Sequence, residues 1–220
     1  MTKKFFGIYL FLLITGSIYA TPRYGCYFTK GAFTEITTFD GNYYPTVQTY
    51  SVLQVDTLAG SLTSTIRLAT TKGNDEMIDT IRFVCDTDGT FISPDINFTG
   101  QGIYVEYPAI LHPGRILEAR VNPEKEGKTS KSGIKIGKRK VLAIDDNVST
   151  PAGSWKCVKI SYSLNIKEKG GGLPKRLTVI EWFVPDFGIV KTEIYRGDSL
   201  ESRSLLTVIA DGEKKRFDVI

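Results

Sequence analysis

The clearest pattern in the chain is KCVKISYSLNIK, residues 156–167. Apolar side chains occupy every second position, and polar side chains occupy the positions between them. The apolar positions are Val158, Ile160, Tyr162, Leu164 and Ile166, and the polar ones are Lys159, Ser161, Ser163 and Asn165. Because successive side chains on a β-strand point to opposite faces of the sheet, this alternation predicts a strand with one buried face and one wet face.

Similar alternation predicts further strands on both sides of this stretch. They cover residues 48–58, 62–68, 78–85, 116–121, 134–144, 177–184, 189–195 and 203–210, with Gly137 as a candidate bulge. No segment has the periodicity of a three-turn amphipathic helix, so few short helices are expected. The predicted fold class is all-β: one curved antiparallel sheet that forms an open or half barrel. Without helices, its inner face must be covered by its own side chains or by a ligand.

Residues 1–20 have the pattern of an export signal. Lys3 and Lys4 precede an apolar run over residues 5–14, and Ala20 ends a stretch suited to a signal peptidase. The run is shorter than the roughly 20 apolar residues that cross a bilayer. We expect cleavage after Ala20, a single β domain over residues 21–220, and export to the periplasm or cell surface of a Gram-negative bacterium. A retained N-terminal anchor is the alternative.

Loss of this segment would leave a nearly neutral chain. The formal charge falls from +4 to +2, because Lys3 and Lys4 are removed. Proteins that bind nucleic acid usually carry a strongly basic balance, so nucleic acid is not an expected partner. No second apolar stretch approaches membrane length, so no transmembrane span is expected in the mature chain.

Three cysteines remain after cleavage: Cys26, Cys85 and Cys157. Export permits one disulfide, and the sequence does not choose among the three pairings. The alternative is that all three are small apolar core thiols. No Cys-x-x-Cys pair is present and His112 is the only histidine, so no metal site is expected.

Few residues are suited to catalysis. His112 is followed by Pro113 and Gly114, which is typical of an exposed turn. Asp145 and Asp146 are neighbours on a predicted strand, so they would point to opposite faces rather than into one pocket. We therefore expect a protein that is not an enzyme and that requires no cofactor.

Glu181 and Lys191 are symmetrically placed about the predicted turn over residues 185–188. If the register permits, they would be cross-strand neighbours that form an ordinary ion pair. The large aromatic residues of this region are predicted to be core anchors: Trp155, Trp182 and Phe183. Solvated loops are predicted over residues 123–133 and 169–175.

Four motifs in order resemble the TapB-like family of exported bacterial proteins. They are Cys26 with Lys30-Gly31 and Phe39-Asp40-Gly41; Phe83-Val84-Cys85-Asp86 with Gly89-Thr90-Phe91; Thr150-Pro151-Ala152-Gly153 with Trp155, Cys157, Lys159 and Ile160; and Glu181-Trp182-Phe183 with Pro185 and GIVKTE, residues 188–193. The resemblance implies an envelope protein with a curved antiparallel sheet, similar to the half-barrels of periplasmic lipoprotein carriers. It implies no established activity.

The function expected from the sequence is that of a non-enzymatic binding module of the cell envelope. Its curved sheet would shelter an apolar or lipid-like ligand, although the sequence identifies no ligand-binding residue. The alternative is a structural or interaction protein with a filled β core, which would contact another envelope protein through an edge strand or a loop. An interior filled by side chains would argue against the first hypothesis.

Overall fold

The structure is a computed structural model that describes residues 25–58, 61–85, 90–93, 101–108, 111–123, 133–167, 174–185 and 187–210. The predicted signal peptide with its cleavage at Ala20, and most of the two predicted loops, lie outside these residues. The described chain contains one 3₁₀ turn, Gly25–Tyr27, and fourteen strands. These are β1 (Phe33–Phe39), β2 (Thr46–Leu58), β3 (Ser61–Lys72), β4 (Asp75–Cys85), β5 (Thr90–Ser93), β6 (Gln101–Val105), β7 (Ile116–Leu117), β8 (Ala119–Pro123), β9 (Gly133–Ile136), β10 (Arg139–Thr150), β11 (Gly153–Lys167), β12 (Lys175–Val184), β13 (Gly188–Arg196) and β14 (Ser199–Ala210).

All of these strands belong to one antiparallel sheet. Its order is β7-β10-β11-β12-β13-β14-β1-β2-β3-β4-β5-β6-β8, with β9 beside β11. Most neighbours in the sheet are consecutive in the chain, because short turns join antiparallel strands. The sheet does not close into a barrel. The predicted all-β fold class with an open antiparallel sheet is therefore confirmed. Within the described ranges, no helix has the length and hydropathy needed to cross a bilayer.

A single residue of the chain joins the two ends of the sheet. β7 pairs with β10 at one end, β8 pairs with β6 at the other, and Glu118 alone separates β7 from β8. The prediction of one strand over residues 116–121 is therefore wrong. The alternation pattern indicates extended backbone but contains no information about the partner of each half.

The predicted long strand over residues 134–144 is interrupted after Ile136. Its two parts, β9 and β10, still lie along the same side of β11. Ile136 is opposite Leu164, and Lys140 is opposite Ser161. Four residues along β9 and β10, from 136 to 140, are therefore opposite only three residues along β11, from 164 to 161. One extra residue on one strand is the register change that a bulge produces. The extra residue lies in the interval that begins at Gly137, the predicted bulge position.

One face of the sheet, which we call the inner face, carries Val52, Ile66 and Ile81 opposite one another on β2, β3 and β4. The N-terminal turn covers this face, and the Tyr27 ring packs edge-on against Phe83 with ring centroids 5.0 Å apart. The buried members of the inner cluster are Tyr27, Phe28, Ala32, Val52, Ile66, Leu68, Ile81, Phe83, Cys85, Tyr107, Leu117, Val141, Val158, Ile160 and Phe183. The predicted apolar face of residues 156–167 therefore contributes to this core.

The opposite, outer face has its own apolar cluster around Trp182, which is a neighbour of Phe183 on β12 and so points the other way. The cluster that contains Trp182 has the buried members Val148, Cys157, Trp182, Val190, Leu206 and Ile209. It also reaches the inner face, because Ile209 is opposite Thr34, and Thr34 is opposite Tyr50, which packs against Tyr27. The β10–β11 turn covers part of it, because the Ala152 amide donates a hydrogen bond to the Leu206 carbonyl at 3.3 Å. Trp182 and Phe183 are core residues as predicted. Trp155 is half-buried and packs against Phe187, with ring centroids 4.9 Å apart.

Candidate functional site

In the described part of the chain, the inner face around Phe183 is covered by the chain's own side chains. Tyr107 reaches it from the segment between β6 and β7, and its ring stacks on Phe183 with centroids 4.2 Å apart. Tyr107, Phe183, Ile160 and Leu117 are each at most 2% exposed. These side chains occupy the space beside the sheet that a sheltered ligand would need.

A buried ion pair lies within this inner cluster. The Arg139 guanidinium contacts the Glu181 carboxylate, which also accepts a 2.9 Å hydrogen bond from the Tyr107 hydroxyl. Arg139 Nη1 donates to the Glu106 carbonyl at 2.9 Å and to the Glu118 carbonyl at 3.5 Å. Arg139 therefore ties the segment that joins the two ends of the sheet to the middle of the sheet.

Two tyrosine rings line the Arg139 guanidinium. Its central carbon lies 4.5 Å from the Tyr107 ring centroid and 5.7 Å from that of Tyr162. Burial raises the pKa of Tyr162 well above its ordinary value, and the negative charge of Glu181 adds to this effect. Tyr162 is therefore neutral at physiological pH. The arrangement suits a fixed structural contact rather than proton transfer.

This ion pair was not predicted from the sequence, although the sequence contains a signal for it. Arg139 is two residues from Val141 on β10, and Glu181 lies between Val179 and Phe183 in the alternation of β12. A charged residue at an apolar position of a strand must find a partner when it is buried. That rule marks Arg139 and Glu181 as charged residues that each need a buried partner. It does not show that they are partners of each other.

The predicted contact between Glu181 and Lys191 is wrong. Glu181 is opposite Thr192, and Lys191 is opposite Trp182, because the register shifts between Trp182 and Phe183. A shift of one residue moves a side chain to the other face of the sheet. Glu181 therefore points to the inner face, and Lys191 points to the outer face.

On the outer face, Lys191 belongs to a charged cluster around Glu193. Lys191 Nζ lies 3.0 Å from Glu193 Oε1 and 4.1 Å from the Trp182 ring centroid. Arg203 Nε also lies 3.0 Å from Glu193 Oε1, and the Tyr195 hydroxyl donates to Oε2 at 2.6 Å. Burial alone would raise the pKa of Glu193, but these hydrogen bonds and cations hold it below its ordinary value. The Glu193 carboxylate is therefore ionised and already neutralised by its neighbours.

A groove of about 820 Å³ lies on the outer face where β9, β11 and β12 run side by side. Its lining combines cations with hydroxyl, amide and apolar groups: Lys135, Ser163, Asn165, Lys167, Pro174, Arg176, Leu177, Thr178 and Gly197. Among the residues that the structure describes, no carboxylate lines it. In the part of the chain that the structure describes, none forms an ion pair with Lys135, Lys167 or Arg176. We call this feature the basic groove.

A second groove of about 660 Å³ lies on the same face, between the end of β1 and the start of β14. Its charged groups are of both signs. Asp40 pairs with Lys72 at 3.1 Å, Glu201 pairs with Arg196 at 3.1 Å, and Arg203 binds Glu193. Because its charges already have protein partners, this groove is not selective for ligands of one sign.

The three cysteines form no disulfide in the structure. Cys85 belongs to the inner cluster and Cys157 to the outer cluster. The Cys26 thiol donates a hydrogen bond to the Phe187 carbonyl at 2.9 Å. Burial raises the pKa of Cys26 far above its ordinary value and that of Cys157 to about 12, so both thiols stay protonated at physiological pH.

The residues considered for catalysis do not come together. His112 is exposed, and its ring Nδ1 lies 3.2 Å from the neighbouring Pro113 carbonyl. Asp145 is exposed with a positive φ of 58°, whereas Asp146 is half-buried and accepts a 2.8 Å hydrogen bond from Trp182 Nε1. Among the described residues, no group of three or more His, Cys, Asp or Glu side chains is placed to hold one metal ion.

Two solved structures have a similar fold. One is from Bacteroides fragilis and is described as an exported protein with a YmcC-like fold; it has 19% identity and a TM-score of 0.64, and the match covers 84% of this chain and all of that one. The other, from Parabacteroides distasonis, is described as a lipoprotein; it has 18% identity and a TM-score of 0.65, with 86% and 99% covered. At this identity the likeness concerns the fold alone.

Sequence comparison identifies the family. No curated protein matches the sequence. A family model described as DUF3108-like matches residues 29–206, which extend from the turn before β1 into β14 and include both the buried ion pair and the basic groove. Because the match spans most of the chain and includes at least part of every strand, this protein belongs to the DUF3108-like family.

Proposed function

We propose that this protein is an exported, non-enzymatic binding protein of the cell envelope and that it binds a lipid-like ligand in the basic groove. The observation that carries the proposal is the lining of that groove, in which the cations Lys135, Lys167 and Arg176 stand beside the apolar ring of Pro174. A lipid-like molecule has the matching combination of a polar head and an apolar part. The groove volume of about 820 Å³ falls in the range of small-molecule sites.

This proposal moves the ligand from the inner face to the outer face. From the sequence, we expect the curved sheet to shelter the ligand on its inner face. Tyr107, Phe183 and Leu117 fill that space, and the Arg139–Glu181 ion pair holds the covering segment in place. A ligand on the inner face would have to displace this buried ion pair, which is costly.

Export and envelope location are part of the proposal. The charged and apolar pattern of residues 1–20 supports a signal peptide. The two structures with this fold are described as an exported protein and a lipoprotein. The four motifs that resemble the TapB-like family support the same location, the periplasm or cell surface of a Gram-negative bacterium.

A non-enzymatic role is supported by the state of the reactive groups. The thiolate is the nucleophilic form of cysteine, and burial keeps Cys26 and Cys157 protonated. His112 is exposed in a turn, away from the basic groove lining. Among the described residues that line the groove, none forms a nucleophile paired with a base.

The second candidate function is an interaction protein with a filled core. The observation that favours it is the edge of β10, where the two residues of β7 pair only with Arg139 and Lys140. Further along β10, Leu142 and Ile144 are 45% and 44% exposed. Such an edge could pair with a strand of another envelope protein.

Native mass spectrometry of protein purified without detergent from its own host tests the proposal. We expect a bound species that organic solvent extracts and that runs as a lipid. Recovery of bare polypeptide, together with no binding to lipid vesicles of any composition, would contradict lipid binding. If the bare protein instead cross-links to one partner, and Leu142→Lys abolishes that product, the interaction function replaces the first proposal.

A further inference from the structure

We propose that the basic groove recognises a phosphate group, held between Lys135 and Arg176 above Asn165. This inference rests on the proposed function and specifies the chemistry of its ligand. The strand register, the sign of the charges and the donors around them support this assignment.

The register places two cations on either side of one amide. Lys135 on β9 is opposite Asn165 on β11, and Asn165 is opposite Arg176 on β12. Neighbouring strands lie about 4.8 Å apart, so the Lys135 and Arg176 backbones are about 10 Å apart across β11. Long side chains on such a span can converge on a single anion, with the Asn165 amide beneath it.

Further donors extend this row along the strands. Lys167 lies two residues beyond Asn165 on the same face of β11, about 7 Å along the strand. In the other direction, Ser163 is opposite Thr178, and both side chains line the groove. The groove therefore presents three cations, one amide and two hydroxyl groups.

Glu193, an acidic group near the groove in the register, is already neutralised. Thr178 is opposite Tyr195, and the Tyr195 hydroxyl binds Glu193, which also pairs with Lys191 and Arg203. Lys135, Lys167 and Arg176 are all exposed side chains without an ion-pair partner among the described residues. An anionic ligand would supply the missing negative charge.

A phosphate group matches this donor set better than a carboxylate does. It offers more acceptor oxygens and up to two negative charges, whereas a carboxylate has two oxygens and one charge. The Arg176 guanidinium can bind two phosphate oxygens at once, and the lysines act as point charges. The hydroxyl groups of Ser163 and Thr178 can bind the remaining oxygens.

The test compares vesicles of phosphatidylcholine with equimolar phosphatidylcholine and phosphatidic acid. The variant K135A/K167A/R176A removes the groove cations, and the matched control K30A/R67A/K156A removes three exposed cations elsewhere. Each cation near an anionic surface contributes severalfold to binding, so the groove variant should bind the anionic vesicles on the order of 100-fold more weakly. The control should lose only a few-fold.

A second variant keeps all three cations. Asn165→Asp puts a carboxylate of nearly the same shape between Lys135 and Arg176, and it should weaken binding at least about tenfold through like-charge repulsion. Circular dichroism and thermal unfolding should match the wild type, because the altered side chains are not in either core cluster.

Equal losses in the groove variant and the control would overturn the inference, since general charge attraction would then explain the binding. Equal binding to both vesicle types would overturn recognition of an anionic phosphate monoester, since phosphatidylcholine carries only a zwitterionic phosphodiester, but it would leave lipid binding intact. Failure to bind either vesicle type, together with bare protein from the host, would overturn the proposed function itself. Inorganic phosphate that binds alone as tightly as the vesicles would support the site and identify a soluble phosphate compound as its ligand.

Discussion

Arg139 and Glu181 form an ion pair whose side chains are only 1% and 4% exposed. The pair links β10 to β12 on the inner face, and through the Glu106 and Glu118 carbonyls it also holds the segment that bridges the two ends of the sheet. In this open sheet, no backbone hydrogen bonds pair β7 with β8, the strands at its two ends. The ion pair therefore contributes to the curvature of the fold as well as to its stability.

Removal of one member of this pair should be strongly destabilising. Arg139→Met leaves the Glu181 carboxylate buried without its cation, and we expect a loss of about 3–5 kcal/mol in the free energy of unfolding. Glu181→Met should have a similar effect. The double variant R139M/E181M should lose less than the sum of the two, because no uncompensated charge remains. Urea unfolding measures all three.

The control for this cycle is the exposed pair Arg196–Glu201, whose side chains are 55% and 37% exposed. Arg196→Met should change the free energy of unfolding by no more than about 0.5 kcal/mol, as is usual for surface substitutions. Strictly additive effects of R139M and E181M would contradict the direct coupling seen in the structure.

The stability of the protein should fall in alkaline solution. Burial raises the pKa of Cys157 from 9.0 to about 12 and that of Tyr50 from 10.0 to about 12. The unfolded chain therefore releases these protons at a lower pH than the folded chain does. The stabilisation is complete below pH 9 and is lost as the pH rises towards 12.

Tyr50→Phe should reduce this alkaline loss by on the order of 2 kcal/mol, because each pKa unit corresponds to about 1.4 kcal/mol. Its cost at pH 7 should be small, since the Tyr50 hydroxyl has one long contact of 3.5 Å to Gln48. The matched control is Tyr43→Phe, because the Tyr43 side chain is 90% exposed. Urea unfolding at pH 7, 9 and 11 measures the slopes, and identical slopes for both variants would argue against this assignment.

The three cysteines should be free and slow to react in the folded protein. Cys85 and Cys157 are buried in different clusters, and Cys26 is held to the Phe187 carbonyl. Iodoacetamide at pH 8 should label none of them rapidly in the native state. After unfolding in urea without reductant, intact mass should show three labels. A single label would reveal a disulfide and contradict the structure.

Gly137 should tolerate a side chain only when Ser163 changes. A Cβ atom added at Gly137 would lie 2.1 Å from the Ser163 hydroxyl oxygen. Gly137→Ala must therefore rotate the Ser163 side chain, at a cost of about 1 kcal/mol, which is typical of a forced rotamer change. The double variant G137A/S163A should recover most of that loss in thermal unfolding. Equal destabilisation of the single and double variants would place the strain in the backbone instead.

The strands were predictable to the extent that one face of each is apolar. Residues 156–167 show this, because Val158 and Ile160 are buried on the inner face as the alternation indicates. The same pattern failed over residues 116–121, where β7 and β8 are both extended but pair with opposite ends of the sheet. Local alternation reports the conformation of the backbone, whereas the choice of partner depends on distant strands.

The candidate sites were less accessible from the sequence than the strands. Glu181 and Lys191 were paired by counting from a turn, and one extra residue in the ladder at Val190 separated them. Lys135 and Arg176 are 41 positions apart, and they meet in one groove because both are opposite Asn165. Bulges and shared partners of this kind leave little trace in local periodicity.

The amino-acid sequence by itself determined the strand-forming pattern, the all-β class, and the identity of the apolar face in the best-defined strands. These properties depend on neighbours within a few residues. Tertiary structure alone decided that Arg139 meets Glu181, that the inner face is filled, and that three cations share one outer groove. The reason is physical: burial and pairing arise when strands far apart in the chain are brought side by side, and a shift of one residue in their register changes the face on which every side chain lies.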